Sequence, residues 1–492
     1  MQQVSVLKLN PIQARSAAQA GRFVSTGGHT EGHVVDVLNS VFEDAVISGI
    51  SDIHFEFDDM EGVLVRFRIA GDLKFRPYVL DADMARIAKT KICAKSKLDD
   101  QERLVPQDGR MMVFFGARRV DIRVAIIPTV AGYKIVCRLL DSDNSDIEID
   151  ELEMPFLVKE AMKRVAVSPE GMVLLSGPTG SGKTTTLYAM LRHLNDESRH
   201  IVTIENPVEY SIKEFTQIDV DGNMTFAMAM KSALRLDPDV IMVGELRDEE
   251  SASIGVKAGS TGHMMLSTVH ANSAAETLTR LMSMGLKNNA ISPVVSAMIA
   301  QRLVKRISTD ADIQWERPNE VERQWLQKRQ MYSESQLFPK IVSGGFSGRL
   351  PIVEMIEMTQ EMRCLMDTSD IDPNWLNKFI EMAVDQEQFE TLAQAGTRLA
   401  LMGKTTLSEV MKATGGIGYV PTKRRFEQEL VYQGKLSADS LQAAHKAICE
   451  QRHLGTLTKL DDYLVASGLC TRDDVLRASQ SAASGRSSQE SH

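Results

Sequence analysis

The sequence predicts an α/β core, a mostly parallel sheet wrapped by helices, with a smaller α+β domain before it and helical segments after it. Three observations carry this prediction. Short apolar runs alternate with helix-period segments across residues 151–306. One of those runs opens into a complete glycine-rich loop, residues 177–184, with a helix-forming stretch directly behind it. Before residue 141, apolar and polar residues alternate as they do in strands with one wet face.

Residues 1–30 are polar and rich in small side chains, end in Ser25-Thr26-Gly27-Gly28, and read as a flexible arm. The α+β domain spans 33–141. Val34 to Val46 has helical spacing, whereas Val63 to Ile69, Met111 to Phe115 and Val120 to Val124 read as strands. Acidic and polar residues from Asp141 to Asp150 make a linker. The core at 151–306 continues into a helical part at 307–415. That part carries an insertion at 308–348, marked by Trp315, Trp325 and Ser343-Gly344-Gly345, and its helices resume at 351.

Residues 420–481 contain an internal repeat. Leu430-Val431-Tyr432-Gln433-Gly434 recurs as Leu464-Val465-Ala466-Ser467-Gly468, and each copy is followed by a cap residue, Ser437 or Thr471. Each unit reads as helix, glycine turn, capped helix. Residues 482–492 are disordered by composition.

A net charge of −10 and a pI near 5.6 argue against nucleic acid as the main partner, because neutralising phosphates needs a basic face. The cysteines, at 93, 137, 364, 449 and 470, show no C-x-x-C spacing, so neither a zinc knot nor a disulfide framework is expected. No apolar run is long enough to span a bilayer and no signal peptide opens the chain. Together these features predict a cytoplasmic protein, peripheral to a membrane at most.

The loop Gly177-Pro178-Thr179-Gly180-Ser181-Gly182-Lys183-Thr184 fits G-x-x-x-x-G-K-S/T. The run Met172 to Ser176 reads as the strand before it, and Thr185 to Leu191 as the helix after it. Glycines let successive N–H groups and the helix N-terminus converge on a polyphosphate. Lys183 is positioned to reach the β- and γ-phosphates, and the Thr184 hydroxyl to complete the shell of a Mg²⁺ bound with ATP.

Phosphoryl transfer also needs a carboxylate that holds Mg²⁺ or orients water, and positive charge on the transferred group. Two apolar strands end on carboxylates: Ile201 to Ile204 on Glu205 and Glu209, and Val240 to Val243 on Gly244-Glu245. Ligands lie beyond the carboxyl ends of parallel strands, so Glu205, Glu209 and Glu245 are all expected to point toward the phosphates. His263 and His270 flank a further apolar strand, where a histidine could sense the γ-phosphate or relay a proton. Arg235, Arg247 and Arg280, with Arg110 and Arg123 of the first domain, could supply charge.

In their order and spacing these segments resemble the type II secretion and type IV pilus assembly ATPases. The resemblance also rests on Ser51 to Glu56, Pro106 to Arg110, Arg138-Leu139-Leu140, Leu234 to Asp248, Gly262 to Asn272 and Ala300 to Val304. It implies a RecA-like ATPase domain preceded by a PAS-like domain, assembled as a homo-hexamer with ATP held between the two domains of a subunit. By position it makes Glu245 the Walker B glutamate, places Glu209 in an Asp box and His270 in a His box, and gives Arg110 and Arg123 to the nucleotide. It further implies a partner in a polytopic inner-membrane platform protein and, indirectly, in pilins, driven by ATP hydrolysis in pilus assembly or pseudopilus extension. A retraction or conjugative-transfer motor is the alternative, and a non-hydrolysing ATP-binding scaffold a further one.

The chain departs from that pattern in three places. The cysteine-free stretch after Ile307 withdraws the zinc that many relatives carry, Lys231 stands where an arginine is expected, and the family's large N-terminal docking domain is not expected ahead of residue 33. The tail repeat resembles helical units of the family's N-terminal domains, some of which bind cyclic di-GMP. Glu427 and Asp461 replace glycines there, and their charge would repel phosphates, so a protein-docking module is expected instead.

Overall fold

A computed structural model describes residues 29–58, 62–69, 72–102, 104–115, 118–141, 147–220, 224–367, 372, 374–415, 419–454 and 456–484. The chain divides after Ser145 into two compact units. Nearly all of the expected arm, the middle of the expected linker and the last residues of the expected tail lie outside the described residues.

The first unit opens with α1 (His29–Ile47), β1 (Asp52–Asp58), β2 (Gly62–Ile69) and β3 (Asp72–Leu80). After α2 (Ala82–Ser96) come β4 (Gln107–Phe115), β5 (Arg118–Thr129) and β6 (Gly132–Asp141). The strands form an antiparallel sheet in the order β3-β2-β1-β6-β5-β4. Ile53, Phe55 and Phe57 alternate onto one face, where they pack with Val34, Leu38 and Phe42 of α1 and Ile92 of α2. Asp81 caps α2 by accepting from the Met84 N–H at 2.9 Å. The register lines up Arg110, Arg123, Arg138, Asp52 and Arg68 in one row across five strands, on the face turned away from that core. Asp52 takes a 2.9 Å bond from Arg138, which offsets part of the like-charge repulsion within the row.

The second unit begins with α3 (Phe156–Ala166), β7 (Gly171–Ser176), α4 (Lys183–Leu194), β8 (Ile201–Glu205) and β9 (Thr216–Asp219). It continues through α5 (Phe226–Ala233), β10 (Val240–Val243), α6 (Glu249–Gly259), β11 (Met264–Val269), α7 (Glu276–Ser283), α8 (Asn288–Ile291) and β12 (Val295–Ile307). Next come β13 (Asp312–Glu316), α9 (Glu320–Lys328), β14 (Phe338–Ser343) and β15 (Phe346–Glu357). The main sheet has the order β15-β12-β7-β11-β10-β8-β9, parallel throughout except at β15. Both faces are covered, so alternate residues of one strand feed two cores. Met172 and Leu174 join Ile241 and Met298, whereas Val173 and Leu175 join Met242 and the α4 residues Leu187 and Leu191.

β15 corrects the sequence reading, which has helices resuming at 351. Leu350, Ile352, Val353, Met355 and Ile356 are buried, and the strand runs antiparallel to β12. A short apolar run buried on both faces looks the same as a helix segment by periodicity alone. The sheet therefore extends past the insertion, whose strands β13 and β14 form a separate two-stranded sheet beside α9.

Helices α10 (Gln360–Asp367), α11 (Trp375–Ala383), α12 (Leu392–Leu401) and α13 (Leu407–Thr414) follow. The repeat region forms α14 (Phe426–Tyr432), α15 (Ala438–His453), α16 (Leu460–Ala466) and α17 (Arg472–Ser484). Gly434 and Gly468 make the two turns at φ 69° and 71°, a conformation that favours glycine. Leu430, Leu441, Leu464 and Val475 share one apolar cluster, against which Leu401 and Met402 at the end of α12 also pack. The last helix runs through Ser484, past the boundary at 482 that composition suggests.

Candidate active site

Four strand ends meet on one edge of the main sheet. β7 is buried along its length and delivers the loop 177–182 to the N-terminus of α4. Gly177 and Gly182 have φ of 150° and 86°. A Cβ on Gly177 would lie 2.5 Å from the Gln301 carbonyl oxygen, and one on Gly182 would lie 2.7 Å from the Gln301 side chain. The loop is thus folded tightly against β12, and only glycine fits at both points.

Gln301 lies within the Ala300 to Val304 segment, where the sequence alone indicates no task for it. Its Oε1 accepts from the Thr186 hydroxyl at 2.8 Å and its Nε2 donates to the Ser181 carbonyl at 2.8 Å. One buried amide therefore locks the loop to the first turn of α4. Ser181 Oγ is buried with no hydrogen-bond partner among the described residues. Lys183 Nζ donates to the carbonyls of Gly177 at 2.8 Å and Pro178 at 3.0 Å. Burial holds the Lys183 ammonium below its ordinary pKa, and Arg302 adds to that, while Glu245 and Glu209 work the other way. Thr184 and Thr185 are half-buried on the same helical turn.

The carboxylates divide. Glu205, expected at the phosphates, is turned inward instead. Both its oxygens lie against the Tyr188 hydroxyl, at 2.8 and 2.9 Å, and it accepts from Thr203 Oγ1 at 2.8 Å. Burial raises its pKa, and Glu209 nearby pushes the same way. Glu245 follows β10 and stays on the edge. The β11 hydroxyls of Ser267 and Thr268 donate to the carbonyls of Val243 and Gly244, each at 2.7 Å, and so fix the chain that carries it. Glu245 accepts from Arg247 Nε at 2.8 Å and meets His270 Nε2 at 3.0 Å.

The two histidines also separate. His270 follows β11 and reaches Glu245, whereas His263 precedes β11 at the opposite end, its Nδ1 3.1 Å from the Ala258 carbonyl. Arg235 bonds the Lys231 carbonyl at 3.1 Å, and Lys231 itself pairs with Glu250 at 2.6 Å. Arg110 and Arg123 lie in the first unit as cross-strand partners on β4 and β5. The second unit therefore gathers the loop 177–184, Glu245 and His270, with Gln301 beneath them. Among the described residues, no cluster of His, Cys, Asp and Glu could hold a metal ion by itself.

A family profile described as "Type II/IV secretion system protein" matches residues 28–412. The chain is 35% identical over 397 residues to a putative type II secretion system protein E of Escherichia coli (strain K12), covering 77% of this chain and 76% of that protein. It is 36% identical over 407 residues to the type IV pilus assembly ATPase PilB of Acinetobacter baylyi, covering 78% of this chain and 67% of that protein. Among solved structures, the pilus retraction motor PilT with bound ADP is similar at a TM-score of 0.52 and 25% identity, covering 76% of this chain and 96% of that one.

Proposed function

Because the chain belongs to the Type II/IV secretion system protein family, we propose that it is an ATPase whose hydrolysis powers pilus assembly or pseudopilus extension. The observation that carries this reading is the Glu245–His270 contact of 3.0 Å on the sheet edge that also presents the phosphate loop. A carboxylate oriented by a histidine beside a phosphate-binding lysine is an arrangement suited to activating water against a γ-phosphate.

The loop fits a polyphosphate by its own geometry. Gly177 and Gly182 admit no Cβ, Ser181 Oγ is an orphaned buried donor, and the N-terminus of α4 points into the same space. Lys183 would exchange its two loop carbonyls for the β- and γ-phosphates. A Mg²⁺ held by the Thr184 hydroxyl and the triphosphate supplies charge neutralisation at the phosphoryl oxygens. Glu245 would orient the attacking water and take its proton, with His270 and Arg247 holding the carboxylate in place. Glu209, whose charge works to raise the Lys183 pKa, would join this set. Arg110 and Arg123 would, as the family resemblance implies, add positive charge at the nucleotide.

The output would come from a homo-hexamer in which ATP turnover moves one subunit against the next. The partner is a polytopic platform protein at the cytoplasmic face of the inner membrane, and pilins are the cargo. No helix among the described residues is long and apolar enough to cross a membrane. The test has two parts. The purified chain should release phosphate from ATP while the Lys183→Ala variant does not, and cells lacking the chain should be bald. Hyperpiliated cells would make it a retraction motor, and no phosphate release even with the platform protein would make it a scaffold.

A further inference from the structure

One buried carboxylate in the second unit belongs to none of the groups above. Glu354 sits on β15 opposite Ala300 of β12 and is buried. Its Oε1 accepts from the Ala274 N–H at 2.8 Å, and its Oε2 accepts from the Leu392 N–H at 3.3 Å. A carboxylate inside a protein is costly unless such donors hold it, so these two bonds fix both of its ends.

Each end leads somewhere. Ala274 closes the loop that begins at His270, and Arg302 steadies the same loop by donating to the Asn272 carbonyl at 3.1 Å. Leu392 is the first residue of α12, whose N-cap is Thr391. The residues just before that cap are gripped by the repeat region. Arg425 donates to the Gln386 carbonyl, and Arg452 makes a two-pronged contact with Glu387 at 3.2 and 3.0 Å. The far end of α12 packs on the apolar cluster of the same region through Leu401 and Met402.

We propose that Glu354 is a positioning residue that couples the repeat region to the His270 loop, so that a load on helices α14–α17 sets ATP turnover without touching the nucleotide. The proposal rests on His270 acting in hydrolysis. A carboxylate is short and planar, so a shift of α12 reaches Ala274 through two hydrogen bonds to one group, with no other side chain between them. Displacing a catalytic group by about 1 Å costs on the order of a hundredfold in rate, so even a small movement of this loop is felt.

The experiment compares the full chain with its His270→Ala, Glu354→Gln, doubly substituted and Arg452→Ala variants, by steady-state hydrolysis, nucleotide titration and thermal melting. The amide introduced by Glu354→Gln would keep one acceptor and set an amide donor against the other N–H. Glu354→Gln should lower kcat about tenfold with KM for ATP nearly unchanged, and the double variant should be no slower than His270→Ala alone. Arg452→Ala removes only an exposed ion pair, which contributes little stability, yet should slow kcat about threefold. Losses that multiply in the double variant, or a Glu354→Gln enzyme as fast as wild type beside a slow His270→Ala, would overturn the coupling. A fast His270→Ala would overturn the reading of His270 itself, and the coupling with it. Should Glu354→Gln fail to fold, Arg452→Ala decides: unchanged kcat in that stable variant sinks the proposal.

Discussion

The Glu245 carboxylate and the His270 ring stand 3.0 Å apart at the ends of the adjacent parallel strands β10 and β11. Neither residue lies within its strand. Both project from the first residues beyond it, where the backbone leaves the sheet and a side chain can face the phosphate loop. The hydroxyls of Ser267 and Thr268 hold the two strand ends together, so the contact is built into the sheet edge.

If that carboxylate orients water, replacing it by an amide should spare binding and remove turnover. Glu245→Gln is expected to lower kcat by at least about a hundredfold while ATP affinity changes by less than about threefold, since the group acts in the transition state more than in the ground state. Phosphate release measured beside nucleotide titration checks this. Turnover equal to wild type would take Glu245 out of the chemistry.

The loop glycines make separable predictions. Gly182→Ala meets both a positive φ and the Gln301 side chain at 2.7 Å, whereas Gly180, at φ 76°, has open space around its missing Cβ. Gly180→Ala should therefore cost only about 1 kcal/mol of backbone strain. Gly182→Ala should cost more, about 2–3 kcal/mol, and abolish ATP binding because it breaks the Gln301 lock. Thermal melts and nucleotide titrations of the pair give the order. Equal penalties would mean that Gln301 is not what fixes the loop.

Glu205 offers the opposite case, a carboxylate near the site whose task is structural. Tyr188→Phe strips the hydroxyl from both its oxygens and should destabilise the fold by about 1–3 kcal/mol with kcat nearly kept. A collapse of kcat at unchanged stability would instead place Glu205 in the reaction.

These cases mark where sequence was enough. The phosphate loop was legible because its glycines, lysine and threonine each answer a local demand of backbone or charge, and the strand–loop–helix context is itself local. Glu245 was legible as the residue after an apolar strand. Glu205 misled because the last residue of a strand and those just past it look alike in sequence, yet they project to different sides. Gln301 and Glu354 carried no signal: an amide and a carboxylate inside apolar strands gain meaning only from Thr186, Ser181, Ala274 and Leu392, all distant in the chain. β15 carries no strand signal of its own because burial on both faces erases the period that tells strand from helix.

Glu354 also fixes a dependence on pH. Burial pushes its carboxyl up to about 7, with Glu276 adding to the rise and the Ala274 and Leu392 N–H groups and Arg302 opposing it. A carboxyl whose pKa is higher in the folded chain than in the unfolded one binds its proton more tightly when folded. Its contribution to stability is therefore complete below about pH 4.5 and is lost as the pH rises through about 7. The loss amounts to about 3 kcal/mol at full ionisation, an upper figure for a group whose surroundings can relax. His445 runs the other way: burial pulls its ring down to about 4, so its contribution grows as the pH rises past that value. Total stability thus mixes opposing groups, and the wild type alone would hide the effect. The difference in unfolding free energy between wild type and Glu354→Gln removes His445 and leaves Glu354. That difference should fall steadily from pH 4.5 to 8, and a flat difference would mean that the carboxyl titrates in the ordinary range.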